Sequence, residues 1–184
     1  MRIPRVYTAY PLEVGASVTL EAQVSRYLMQ SLRKAEGASI ELFNGNGAQY
    51  AATIVSGSKS AVTIRIESEY QVSKESPLAI HIGLAISKGD RMDYGIRKIV
   101  ELGGNRITPL ITQRCEVRLS KERMEKRLKH WQAIVVSACE QCGRNRIPEL
   151  QEALQLEQWL GVVDEQARLI LQPGGSVSLT DRPV

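Results

Sequence analysis

Apolar residues at Met124, Leu128, Trp131, Val135, Ala138 and Cys142 recur at three- and four-residue spacing, which lines one face of a helix over residues 121–142. Glu122 and Lys126 pair on its other face. Ser120 is placed to cap its start and Gly143 to end it. Nearer the N-terminus the period drops to two. Residues 39–43, 50–55 and 61–66 alternate in the manner of half-buried strands, and Asn44-Gly-Asn-Gly supplies the positive φ angles of a hairpin. These segments predict antiparallel strands of a small β-barrel. Ahead of them, residues 25–34 predict a short helix with Tyr27, Leu28 and Leu32 inward and Arg26, Arg33 and Lys34 outward.

Residues 68–77 lose both periodicities and end in Pro77, which marks a linker. The expected division is a barrel over 1–70, a linker over 71–77 and a second domain over 78–184. Leu78 to Ile86 is a nearly unbroken apolar run, as for a strand buried on both faces. Asp90 can cap a helix from Arg91 to Leu102, closed by Gly103, and residues 106–112 form the next strand. That is a β-α-β unit, right-handed if the sheet is parallel. The helix over 121–142 and a third strand over 167–171 extend it, so the fold class is α/β.

The 184-residue length allows one domain or two small ones, and no apolar run is long enough to cross a bilayer. The N-terminus lacks the apolar core of a signal peptide, and three cysteines without framework spacing argue against a disulfide scaffold. A cytoplasmic protein without a membrane partner is expected. The net charge of +4 divides unevenly: +1 over residues 1–75, +6 over 76–150 and −3 over 151–184. The basic middle suits a polyanion such as nucleic acid, and equally a solvated face.

Arg144 and Arg146 follow the end of the long helix, where cations complement the carbonyl end of the dipole or can hold an anion. Cys139 and Cys142 form a C-x-x-C, but at the far end of a helix rather than its start, and Cys115, His81 and His130 show no ligand spacing. Packing is therefore preferred to redox or metal chemistry. Neither histidine has a visible nucleophile or acid partner. Phosphate-loop, dinucleotide-fingerprint and nucleophile-elbow motifs do not occur. The segment Ser87-Lys-Gly-Asp-Arg-Met-Asp opens the first helix of the β-α-β unit, where an open α/β sheet binds its ligand. Arg91, Lys98 and Glu101 share a face of that helix. Gln172-Pro-Gly-Gly-Ser could approach a ligand or be an ordinary loop.

Met1-Arg-Ile-Pro-Arg-Val-Tyr, Leu32-Arg33 with Gly37, Leu42-Phe-Asn-Gly45, Lys88-Gly-Asp-Arg-Met-Asp93, Lys98 with Glu101-Leu-Gly, Ile107-Thr-Pro-Leu, Trp131, and Glu140-Gln-Cys-Gly-Arg with Pro148 stand in the order seen in one family. Across essentially the whole chain the sequence resembles the bacterial 16S ribosomal RNA (uracil-N3) methyltransferases. The resemblance implies an N-terminal PUA-like RNA-holding barrel, then a SPOUT methyltransferase domain with a C-terminal knot that binds S-adenosylmethionine. It further implies a homodimer acting on the small ribosomal subunit, with methyl transfer to N3 of a uridine in the decoding region.

On this resemblance Arg2, Arg5, Arg26, Arg33, Lys34, Lys88 and Arg91 are the candidate RNA contacts. Glu101, Glu140, Gln141 and Arg144 are candidates to line the active cleft, and Gln172 and Pro173 to touch the cofactor. No residue stands out as the base, and no metal is expected. Family members continue through a Gly-Pro-Glu-Gly-Gly loop and a Leu-Arg-x-Glu-Thr-Ala segment, whereas this sequence stops at Val184. The expectation is an incomplete SPOUT domain without its C-terminal knot and with an incomplete cofactor site, so that the alternative role is an inactive RNA-binding fragment; an orphan α/β ligand-binding protein is the weaker rival. Ser31, where the family often has Val, is a minor departure.

Overall fold

The computed structural model describes residues 3–58, 60–113, 120–163 and 168–171. Arg2, Cys115, Gln172 and Pro173 lie outside them. The N-terminal part is one five-stranded sheet in the order β1-β3-β4-β5-β2, from β1 (Arg5–Tyr7), β2 (Ser17–Thr19), β3 (Ser39–Phe43), β4 (Gln49–Gly57) and β5 (Val62–Tyr70). The alternation expected of β3 to β5 is observed, with Ile40, Leu42, Tyr50, Ala52, Ile54, Val62, Ile64 and Ile66 buried in one core. Register shifts between Ala51 and Ala52 and between Ile54 and Ser56 add the local twist that lets long strands curl over that core. Gly45 and Gly47, at φ 89° and 104°, make the β3–β4 connection as the Asn-Gly pairs predict. β1 pairs with β3 in parallel, a contact that hairpin signals cannot reveal.

The helix expected over 25–34 begins earlier and changes type. α1 (Ala22–Arg26) runs directly into a π-helical turn, Tyr27–Ser31, which buries Leu28 but leaves Tyr27, expected inward, exposed. Ser25 stitches it to the sheet, its hydroxyl donating to Leu20 O (3.2 Å) and accepting from Val62 N (3.0 Å).

The second part is a parallel sheet flanked by helices: β6 (His81–Ala85), α2 (Asp90–Glu101), β7 (Arg106–Ile111), α3 (Lys121–Cys142), β8 (Glu149–Leu150), β9 (Leu154–Gln155) and α4 (Leu156–Val162). β6 and the two short strands β8 and β9 all pair with β7 in parallel. α3 has the expected bounds, and Gly143 at φ 85° ends it in the left-handed conformation. Ser120 and Gly89 occupy the N-cap positions of α3 and α2 without side-chain cap bonds, so Asp90 is the first helical residue rather than the cap.

Two expectations are corrected. The first strand starts at His81, because Leu78 is exposed and gives its N–H to Ser76 Oγ (3.2 Å) rather than to a neighbouring strand, and none of the residues His81–Ala85 is fully buried, so it is not the doubly buried strand expected. The third strand is not the apolar run at 167–171: Arg168–Leu171 carry no strand and Leu169 to Leu171 are exposed, while β8 and β9 take the place beside β7. Met92, Ile96, Ile99, Val100, Ile107, Trp131, Val135 and Ala138 form the second core, and Phe43 of the N-terminal sheet is buried in it. The two halves therefore share packing.

Candidate functional site

Arg5 sits where the sheet of the N-terminal half meets the end of α3. Its guanidinium donates to Cys139 O (2.7 Å), Arg144 O (2.9 Å) and Asn145 Oδ1, and lies 4.0 Å over the Phe43 ring. Its Nε is 2.6 Å from Glu41 Oε1 but misaligned for a hydrogen bond, so that contact is an ion pair only. Glu140 accepts from Tyr7 N (3.0 Å) in the same junction. Burial pushes its carboxyl pKa upward, partly offset by that N–H and by Arg5.

Arg144, expected in the active cleft, is nearly fully buried. It donates to Glu75 Oε2 through Nε (2.9 Å) and Nη2 (2.6 Å), and through Nη1 to Val100 O (3.0 Å) and Gly104 O (2.7 Å). Asn145 Nδ2 donates to Val72 O (2.8 Å). Thus Arg5, Glu140 and Arg144 come together, but as a junction that ties β1, the linker and α3 to one another. Asn145 and Glu75 belong to that junction and were not singled out from sequence; only the requirement that a buried arginine be paired points to an acid such as Glu75.

The remaining candidates are surface residues. Arg26, Arg33, Lys88 and Arg91 are exposed and Lys34 is half-buried. Arg26 Nε bonds Ala22 O within its own helix (3.2 Å). Arg33 follows the π turn at φ 49°, the left-handed region where a side chain is strained. Glu101 is exposed and pairs with Lys98 (2.5 Å), whose pKa the pair raises, and Gln141 is exposed on α3. Neither adjoins the Arg5–Arg144 junction through a described contact.

The histidines do have partners. His130 Nε2 meets Asp93 Oδ2 (2.8 Å) between α3 and α2. His81 lies on the sheet face away from α2 and α3, 2.7 Å from the buried Thr108 hydroxyl, which donates to Gln151 Oε1 (2.6 Å). His81 Nε2 is then the donor toward Thr108. The Trp159 indole, 3.4 Å away, is accordingly an edge-on ring contact at 5.3 Å and 89° rather than a hydrogen-bond donor. Gly83 makes room for this ring, since a Cβ there would come within 2.7 Å of it.

Cys139 and Cys142 are free thiols, and burial pushes Cys139 up to about 12, which leaves it inert. Among the described residues no His, Cys, Asp and Glu cluster could hold a metal, and no helix is long and apolar enough to cross a membrane. A groove of about 480 Å3 runs along β8, β9 and Val162. It is open to solvent, so the described residues do not by themselves enclose a nucleoside cofactor.

Against known proteins, the description of an RNA methyltransferase PUA domain matches residues 20–67 and that of an RNA methyltransferase domain matches residues 74–183. The chain is 32% identical to the ribosomal RNA small subunit methyltransferase E of Buchnera aphidicola subsp. Schizaphis graminum, over 99% of this chain and 74% of that protein. It superposes with a TM-score of 0.96 at 40% identity on a putative methyltransferase of Legionella pneumophila in complex with bound cofactor SAM, covering 100% of this chain and 76% of that one. On the ribosomal RNA small subunit methyltransferase E of Neisseria gonorrhoeae bound to S-adenosyl methionine, the TM-score is 0.93 at 37% identity, with 99% and 75% covered. The chain therefore belongs to the RNA methyltransferase family that includes ribosomal RNA small subunit methyltransferase E, with a PUA-like barrel ahead of a SPOUT-type α/β domain.

Proposed function

We propose that this chain takes part in S-adenosylmethionine-dependent methylation of N3 of a uridine in the decoding region of 16S ribosomal RNA. The observation that carries the reading is the superposition of both halves, in one arrangement, on relatives that hold this cofactor. In this reading residues 1–70 hold RNA, 71–77 link, and 78–184 belong to the catalytic domain, which acts in the cytoplasm as a homodimer. The end of β5 at Tyr70 and the start of β6 at His81 support that division.

Transfer of a sulfonium methyl to N3 requires loss of the N3 proton and in-line approach. It also requires cations on the phosphate backbone. Arg26, Arg33, Lys34, Lys88 and Arg91, with Arg2, are the proposed RNA contacts. Glu101 and Gln141 remain proposed for the cleft, and Gln172 and Pro173 for the cofactor. Arg5, Glu140 and Arg144 are proposed to act indirectly, by fixing the barrel against the catalytic domain, since their polar groups are engaged inside the protein.

A second reading applies to the 184-residue polypeptide on its own: it holds RNA without holding the cofactor. The open groove along β8 and β9 and the exposed Leu169, Ile170 and Leu171 favour it. Methyl transfer from labelled S-adenosylmethionine to small-subunit RNA, read by nucleoside analysis, tests the main proposal. Cofactor titration tests the second.

A further inference from the structure

Of the two arginines beyond α3, Arg144 is consumed by Glu75 and Arg146 is not. Arg146 is exposed, and among the described residues its guanidinium has no ion pair and no hydrogen bond; only its backbone is tied, by its N–H to Glu75 Oε1 (3.3 Å) and its carbonyl to the Cys139 thiol (3.7 Å). The guanidinium lies against Gly47 of the β3–β4 hairpin, where a Cβ would stand 3.1 Å from Nη2 and 3.3 Å from Cζ and Nε. Glycine at φ 104° is thus what lets the planar cation rest on the hairpin backbone.

A groove of about 150 Å3 opens beside it, bounded by Gln71, Ser73 and Asn145 as well as Gly47 and Arg146. Its volume is below the roughly 300 Å3 of small-molecule pockets, which suits one phosphate of a strand passing over the surface rather than an enclosed ligand. The acid in its wall, Glu75, has its charge matched by Arg144. Lys74 stands over the carbonyl end of α3, its Nζ 2.7 Å from where a Gly143 Cβ would be, so the negative end of the helix is also masked.

We infer that this groove between hairpin, linker and the end of α3 is a phosphate subsite for substrate RNA, with Arg146 as its cation. The inference rests on the reading that RNA is the substrate. It gives the junction a second role: a strand reaching from the barrel to the catalytic domain crosses at the point where the two are locked together.

The test is binding of a 16S ribosomal RNA transcript to the 184-residue chain and its variants across a salt series. Arg146→Ala should weaken binding about five- to tenfold and lower the slope of log affinity against log salt by about 0.7 to 0.9, as for one lost phosphate contact. Arg146→Lys should keep the slope but lose part of the affinity. Ser73→Asp, an exposed position that keeps a side-chain oxygen, should weaken binding by repulsion, and it decides the matter if Arg146→Ala proves unstable. Unchanged affinity and slope in folded Arg146→Ala, or in Ser73→Asp, overturns the inference while leaving the RNA reading intact. Absence of any salt-dependent binding by the unmodified chain overturns that reading and the inference with it.

Discussion

The Arg144 guanidinium grips Glu75 through two nitrogens, at 2.9 and 2.6 Å, across a sequence separation of 69 residues. Because Arg144 also bonds the carbonyls of Val100 and Gly104, one side chain joins the linker, the end of α2 and the end of α3. Removing one partner of such a buried pair strands the other charge, which costs about 3–5 kcal/mol. Glu75→Ala should therefore lower the urea midpoint sharply. The double variant Glu75→Ala, Arg144→Met should be less destabilised than the sum of the single ones, with a coupling above about 1 kcal/mol. Additive losses would mean the pair is not a unit.

Glu140 gives the junction a pH dependence. Burial raises its folded-state pKa above the ordinary 4.5, so the folded protein binds this proton more tightly than the unfolded chain. Its contribution to stability is accordingly favourable at low pH, declines as pH rises from about 4.5 through the raised value, and stays unfavourable above. Glu140→Gln keeps an acceptor for Tyr7 N–H and should remove that decline, leaving the protein at least as stable at neutral pH. A variant markedly less stable there, by equilibrium unfolding, would count against burial as the dominant cause.

Arg33 carries a stability–function trade. Holding a non-glycine residue at φ 49° costs about 1 kcal/mol. Arg33→Gly should raise stability slightly while weakening RNA binding, and Arg33→Ala with Lys34→Ala should weaken binding and flatten its salt dependence. Arg97→Ala, on exposed α2 surface, serves as the control. Equal salt slopes in the double variant and the control would remove these two residues from the RNA face.

Where local pattern alone decides structure, the sequence was readable. The stripe from Met124 to Cys142 with Gly143 beyond it defines α3, and the alternation with glycine turns defines β3 to β5. What local pattern cannot carry is partner choice. Leu169 to Leu171 look like a strand but lack a neighbour among the described residues, while β8 and β9 are two residues each and exist because β7 offers them hydrogen bonds. Likewise Arg5 reads as an RNA contact and Arg144 as a cation of the active cleft, because nothing nearby in sequence announces Asn145, 140 residues away from Arg5, or Glu75. The π turn at Tyr27–Ser31 gave no signal in the apolar spacing, which fits an ordinary helix as well.

For the cofactor, the 184-residue polypeptide by itself is expected to give no saturable heat on calorimetric titration with S-adenosylmethionine, since the groove beside β8 and β9 is open and Leu169 to Leu171 are uncovered. These exposed apolar residues should also favour self-association on sizing. Micromolar, saturable binding would show that residues 1–184 already contain the site.

The most direct test of the whole account is methyl transfer by the protein that carries this chain. Small ribosomal subunits lacking the modification are incubated with the protein and S-adenosylmethionine labelled in its methyl group, and the 16S RNA is digested to nucleosides. The account predicts label in 3-methyluridine, lost when Arg33 and Lys34 are both replaced by alanine at limiting subunit concentration. Label appearing in a different nucleoside, or no transfer by a protein that binds both RNA and cofactor, would contradict it.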